Sequence, residues 1–216
     1  MSAVTAVATT HDEPQPAGHA AGGISNPILG MILFICSEVM FFSGLFAAYF
    51  NVRNTAAIWP PAEFVGKLRF LPTAEAPIPL VTIATIVLIS SSFTCQLGVS
   101  AIRRGDRTGL VRAIGVTFVM GLTFLLMQAY DYSVLYSEGV TLDAGPFGTT
   151  YYTLTGFHGA HVFAGVVMLG VVLYRAMSGQ FSAKHHDAVE AVSLYWHFVD
   201  VVWVGLFSIL YVIPTR

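Results

Sequence analysis

Apolar residues in this chain fall into five long runs, separated by short polar segments rich in turn-forming residues. The runs lie at about 27–52, 77–102, 111–136, 149–175 and 189–213. A bilayer core is crossed by roughly 20 apolar residues of helix, and each run reaches that length. Hydrophobicity sustained at lipid level forces helix, because each segment must satisfy its own backbone donors and acceptors. The pattern therefore predicts an all-α polytopic bundle of five transmembrane helices, with residues 27–216 forming one membrane domain. No internal repeat or soluble domain is visible. Residues 1–26 are mostly small, with no Lys, Arg or apolar core. They lack the positive start and greasy middle of a secretory signal and are expected to be a disordered cytoplasmic tail. His11 and His19 within it read as solvated side chains.

Composition sharpens this picture. Of 216 residues, 55% are hydrophobic and only 10% charged, against about a quarter charged in soluble domains. A formal charge of −2 leaves no basic face for nucleic acid. Cys36 and Cys95 have no partner at metal-ligand spacing, which argues against a zinc site or a disulfide framework. Orientation follows from the basic residues. Arg103, Arg104, Arg107 and Arg112 flank the turn between spans two and three, and Arg175 and Lys184 that between spans four and five. Arg53, Lys67, Arg69 and Arg216 fall on the other face. The bias places the N-terminus in the cytoplasm and the C-terminus outside. Trp59, in the outer "WPP" stretch, sits where an interfacial aromatic belt is expected.

Ionisable residues inside three of the runs need explaining. At about 1.5 Å per helical residue, Glu38, the pair His158 and His161, and the pair His197 and Asp200 approach one layer near the bilayer centre. Each pair is spaced i,i+3 and so shares a helix face. Gly156, Ala160 and Ala164 form a small-residue row of the kind that admits a neighbouring helix. A lone charge at this depth costs at least about 2.5–3.5 kcal/mol, so these residues need partners, and His197 is a candidate partner for Asp200. Three readings stand open on spacing alone: a metal or haem site, a proton path, and a hydrogen-bonded polar seam that locks helices or holds lipid. The absence of a Glu-x-x-His pattern counts against a di-metal centre. "SSSFT" (90–94) reads as back-bonded hydroxyls or helix-contact polarity. His185 and His186 read as exposed, Glu190 as an interfacial residue favoured by a helix N-terminus, and Asp131 as a group that reaches water or pairs across the bundle. A proton-coupled transporter lacks support, since no broken-helix pair or inverted repeat is present.

Longer motifs carry a resemblance. "GMILFICSEVMFFSGLFAAYF" followed by "WPP", then "RRGDRTGLVRAI", "LMQAYDY", "FGTTYYTLTGFHGAHVFAG" and "HHDAVEAVSLYWHFVDVVW" resemble, in order, subunit III of haem-copper terminal oxidases. The likeness covers nearly the whole chain after the tail, and "TGFHGAHV" with "YWHFVDVVW" is its most specific part. The resemblance implies a non-redox supporting subunit of a proton-pumping cytochrome c oxidase in a bacterial cell (inner) membrane. It implies no catalytic centre and no haem or copper in this chain, those lying in partner subunits, and structural phospholipid as the bound cofactor-like component. Subunit I is implied as the main contact, with subunit II beside it. Subunit IV and a respiratory supercomplex stay open as further partners. Glu38 matches the family's buried, carbodiimide-reactive glutamate, and His158 and His161 its buried histidines. Trp196, His197, Asp200 and Trp203 match its last-helix signature, and Arg175 an arginine near a lipid head group. Two departures stand out. The familiar form has two further N-terminal helices walling a lipid cleft, which leaves that site open or completed by another subunit. A family glutamate is Asp131 here. The alternatives are the same subunit in a quinol oxidase and, in a different class, a stand-alone membrane haem-binding electron carrier.

Overall fold

The computed structural model describes residues 24–59, 61 and 80–212. Five long helices account for most of them: α1 (Asn26–Thr55), α2 (Leu80–Arg103), α3 (Arg107–Ser137), α4 (Gly145–Met177) and α5 (Asp187–Phe207). A π-helical turn, Ser208–Val212, continues α5. All five are long and apolar enough to cross a membrane. The N-terminal tail with His11 and His19, the basic residues Lys67, Arg69 and Arg216, and the start of span two lie outside the described residues.

Helix ends fall where local chemistry puts them. Pro27 and Pro146 occupy the first turns of α1 and α4, where a missing N–H costs nothing. The break between α2 and α3 takes three residues. Gly105 adopts φ +80°, and the N–H groups of Gly105 and Asp106 return to the carbonyls of Ile102 (2.8 Å) and Ala101 (2.9 Å). This closes α2 in a Schellman motif, which needs a left-handed residue. Asp106 then caps α3, its Oδ1 accepting the Gly109 N–H at 2.8 Å. Asp106→Ala should lower the thermal midpoint of the assembled complex by an amount equivalent to about 1 kcal/mol. An unchanged midpoint would show that the turn is held by its glycine alone. Gly179, at φ +76°, ends α4 in the same way, with Gln180 N–H donating to the Arg175 carbonyl at 3.0 Å.

α2, α3, α4 and α5 pack sequentially and close into a ring through an α5–α2 contact, while α1 stands outside it against α5 and α4. Only Phe42 and Tyr49 of α1 are buried. α5 supplies the core. Trp196 and Trp203, two turns apart and so on one face, both point into the ring. A Cβ on Gly121 or Gly165 would lie 2.6 or 2.8 Å from the Trp196 ring, so α3 and α4 carry glycine where the indole wedges between them. Trp196 Nε1–H donates to Ser91 Oγ of α2 at 2.8 Å. Trp203 repeats the arrangement: it donates to Thr85 of α2 at 3.0 Å, meets Phe124 of α3 edge-on and stacks on His158 of α4. Each indole thus touches the other three helices of the ring.

Close approach in α4 falls at Gly165 against Trp196 and at Gly159 against Gln128 of α3, not along the predicted small-residue row. Ala160 and Ala164 are exposed. Trp59 also departs from expectation. It is 4% exposed, donates to Tyr49 Oη at 3.1 Å and lies edge-on to Phe147. It plugs one end of the bundle between α1 and α4 instead of presenting to a lipid interface.

Candidate functional site

The five mid-depth polar residues occupy two helix interfaces and one interior position. At the first interface, Glu38 of α1 meets His161 of α4, Oε2 to Nε2, at 2.8 Å. The other imidazole nitrogen, Nδ1, lies 2.7 Å from the Phe157 carbonyl. A carbonyl only accepts, so Nδ1 carries a proton. Nε2 then accepts from a protonated Glu38, or donates to its carboxylate as an imidazolium. The pair is neutral overall in both forms. Phe41 and Phe42 close over the ring, and each polar side chain keeps about a sixth of its surface exposed (16% and 17%).

The second interface joins α5 to α2. Asp200 and His197 share a helix face, but they meet through a third residue. Ser92 Oγ–H donates to Asp200 Oδ2, and His197 Nδ1 lies 3.0 Å from the same Oγ. The expected direct partnership of Asp200 with His197 is thus replaced by a shared serine. On the next turn Gln96 Oε1 approaches His197 Nε2 at 3.4 Å. Because one hydroxyl serves both groups, Ser92→Ala should destabilise the complex more than Asp200→Asn, which retains an acceptor oxygen. A difference of about 1 kcal/mol is expected, within the range for interhelical hydrogen bonds in lipid. Comparison of the two thermal midpoints tests this, and the reverse order would remove Ser92 from its bridging role.

His158 stands apart from both pairs. It is fully buried, stacked on Trp203 at 4.9 Å between ring centroids and edge-on to Phe124. Neither ring nitrogen has a hydrogen-bond partner among the described residues. His161, three residues on, faces α1 instead. The two α4 imidazoles therefore serve different surroundings, and among the described residues no three His, Cys, Asp or Glu side chains gather as metal ligands.

The remaining candidates sit at the ends. Glu190 accepts from Arg103 Nε at 2.8 Å and pairs with its Nη2 at 2.7 Å, while His186 Nε2 lies 3.1 Å away. This ties α2 to α5 at the arginine-bearing end and takes His186 out of the merely exposed class. Arg175 Nε donates to Gln180 Oε1 at 2.9 Å, and its guanidinium lies over the Phe181 ring. Asp131 faces inward, lining a cavity with Gln128, Tyr132, Tyr151 and Tyr211. Sequence reading flagged Ser91 and Ser92 only within a stretch of helix-contact polarity, without their partners, and did not single out Thr85. The available signal was their place on one apolar helix opposite two tryptophans and an aspartate that all need partners.

With this geometry in hand, comparison with known proteins is informative. The family model for cytochrome c oxidase subunit III matches residues 14–214. The probable cytochrome c oxidase subunit 3 of Mycobacterium tuberculosis is 44% identical over 86% of this chain and 87% of its own. The cytochrome c oxidase subunit 3 of Corynebacterium diphtheriae is 42% identical over the same shares. That of Synechocystis is 39% identical over 97% of this chain and 86% of its own. Five membrane-length helices, the Glu38–His161 contact and the tryptophan-bearing last helix are thus the frame of a multi-pass membrane protein that belongs to the cytochrome c oxidase subunit III family.

Proposed function

We propose that this chain is the haem-free supporting subunit of a proton-pumping cytochrome c oxidase in a bacterial cell membrane. It holds the catalytic subunit and structural phospholipid in place while electrons pass from cytochrome c to oxygen in subunits I and II. The observation that carries this reading is how the buried polar groups are used. Glu38 with His161, and Asp200 with His197 through Ser92, each join two helices. Groups spent on helix contacts at this depth make a locking framework. They are not arranged as a converging ligand set. The chain supports proton uptake indirectly, by keeping that framework and its lipids against subunit I. Subunit II, subunit IV and a respiratory supercomplex are the further assembly partners in this reading. Arg103, Arg104, Arg107, Arg112, Arg175 and Lys184 gather at one end of the bundle, which favours that end as cytoplasmic and the N-terminus as inside.

Purification under mild detergent tests the proposal. The chain should co-purify with the haem- and copper-bearing subunits and with phospholipid, and removing it should leave haem content unchanged while shortening catalytic lifetime. A Soret band carried by the isolated chain would instead support a haem-binding electron carrier. A quinol oxidase is the second reading. The relatives' names favour cytochrome c, and a neighbouring subunit II lacking a Cys-x-x-x-Cys motif would reverse that preference.

A further inference from the structure

The first turns of α3 and the last turn of α4 enclose an open groove of about 500 Å³, lined by Arg107, Thr108, Val111, Arg112, Ala176 and Met177. Its two sides differ in chemistry. Arg107 and Arg112 supply guanidinium groups at the bundle end, and Thr108 adds a hydroxyl. Val111, Ala176 and Met177 give an apolar floor. Neither arginine has an ion-pair partner among the described residues, whereas the neighbouring Arg103 is taken by Glu190 and Arg175 by Gln180.

Helix electrostatics accounts for only one of the two cations. The Arg107 guanidinium lies so close to Gly179 that a Cβ there would collide with it. It therefore rests against the C-terminal turn of α4, where positive charge is favoured. The missing side chain at position 179 makes room for it. Arg112 is different. It sits on the second turn of α3, outside the reach of either helix end's dipole, and Asp106 is already committed to the Gly109 N–H. Two unpaired guanidiniums beside an apolar floor, at the level where helices leave the membrane, complement a ligand that is anionic at one end and greasy at the other.

We propose that this groove binds the head group of an anionic phospholipid, with the phosphate between Arg107 and Arg112 and an acyl chain running along Val111, Ala176 and Met177. Basic pockets between transmembrane helices at the cytoplasmic face recognise such head groups, and planar guanidiniums suit phosphate oxygens. The inference rests on reading the chain as an oxidase subunit that holds lipid. It adds the place and the charge class of one such lipid.

The test uses the whole purified oxidase complex carrying R107Q/R112Q in this chain. Phospholipids retained after detergent washing are counted by phosphorus assay and mass spectrometry. The variant should retain about one anionic phospholipid fewer per complex, with the zwitterionic count unchanged. An unchanged anionic count overturns the site. Should the variant not assemble, the unmodified complex is photolabelled with diazirine-bearing phosphatidylglycerol and, separately, phosphatidylcholine. Labelling around Arg107–Arg112 and Ala176–Met177 should favour phosphatidylglycerol roughly tenfold or more, the preference two basic side chains confer. Equal labelling overturns the proposal, as does cross-linking of the groove to an acidic segment of another subunit in its place. A complex that keeps its other lipids yet shows no difference at this groove sinks the site alone. A fully stable complex stripped of all phospholipid sinks the broader lipid-holding reading.

Discussion

Trp196→Ala is expected to give the largest loss of stability of any single substitution in this chain. The indole is fully buried, wedged between Gly121 and Gly165 and bonded to Ser91, so its removal loosens α2, α3, α4 and α5 together. In a water-soluble core, Trp-to-Ala changes cost about 3–5 kcal/mol, including transfer of surface from water. Lipid removes much of that transfer contribution, since its tails are as apolar as the core. What remains is the hole. A residual cavity of about 100 Å³ at about 24 cal/mol per Å³ comes to about 2.4 kcal/mol. Two measurements read this: the thermal midpoint of the complex and the fraction of this chain retained through purification. Trp196→Phe should recover part of the loss, because it fills part of the cavity but leaves Ser91 without its donor. Should Trp196→Ala shift the midpoint no more than a lipid-facing change such as Phe163→Ala, the wedge would not be what holds the ring.

The second large effect concerns the Glu38–His161 contact, and here the choice of substitution decides the outcome. Glu38→Gln should leave the midpoint nearly unchanged, because an amide N–H can donate to Nε2 as a protonated acid would. His161→Leu should be much worse. An ionised carboxylate left alone at this depth costs about 2.5–3.5 kcal/mol. A neutral acid left without its partner there costs about 1–3 kcal/mol. The double variant E38L/H161L then provides the discriminating result. Replacing both partners with apolar groups removes the orphan, so it should be more stable than His161→Leu alone. A double variant as unstable as the sum of its singles would show that the two residues act independently and that the 2.8 Å contact contributes little.

Wedge and pair differ in how far each could be read beforehand. Glu38, His161, His197 and Asp200 were conspicuous because a charged or polar group inside a long apolar run is costly and so must be accounted for. The number of spans was legible for the same reason, since hydropathy over 20 or so residues is a local property. Partner choice was not local. His158 and His161 share a helix face at i,i+3, yet one ends against Trp203 and the other against Glu38. The 60° or so between successive i,i+3 positions is enough to aim them at different neighbours when three helices crowd around α4. The small-residue row at 156, 160 and 164 met the rule for close approach, yet Ala160 and Ala164 face outward. Gly165 was chosen because Trp196 arrives there from a helix some thirty residues further on. Trp59 was assigned by its place in the chain, and Tyr49 with Phe147 decided its burial.

By itself, then, the sequence determined the solvent of this protein, the number of its helices, and that Glu38, His161, His197 and Asp200 would need partners. These follow from local costs: backbone groups that lipid cannot satisfy and charges that lipid will not solvate. His158, by contrast, is buried with neither ring nitrogen hydrogen-bonded among the described residues. Only the tertiary structure decided that α1 stands outside a closed four-helix ring, that Ser92 bridges Asp200 and His197, and that an arginine groove opens between α3 and α4. Those outcomes depend on helix rotation and crossing. Both are set by mutual packing of side chains distant in the chain, which no window of neighbouring residues encodes.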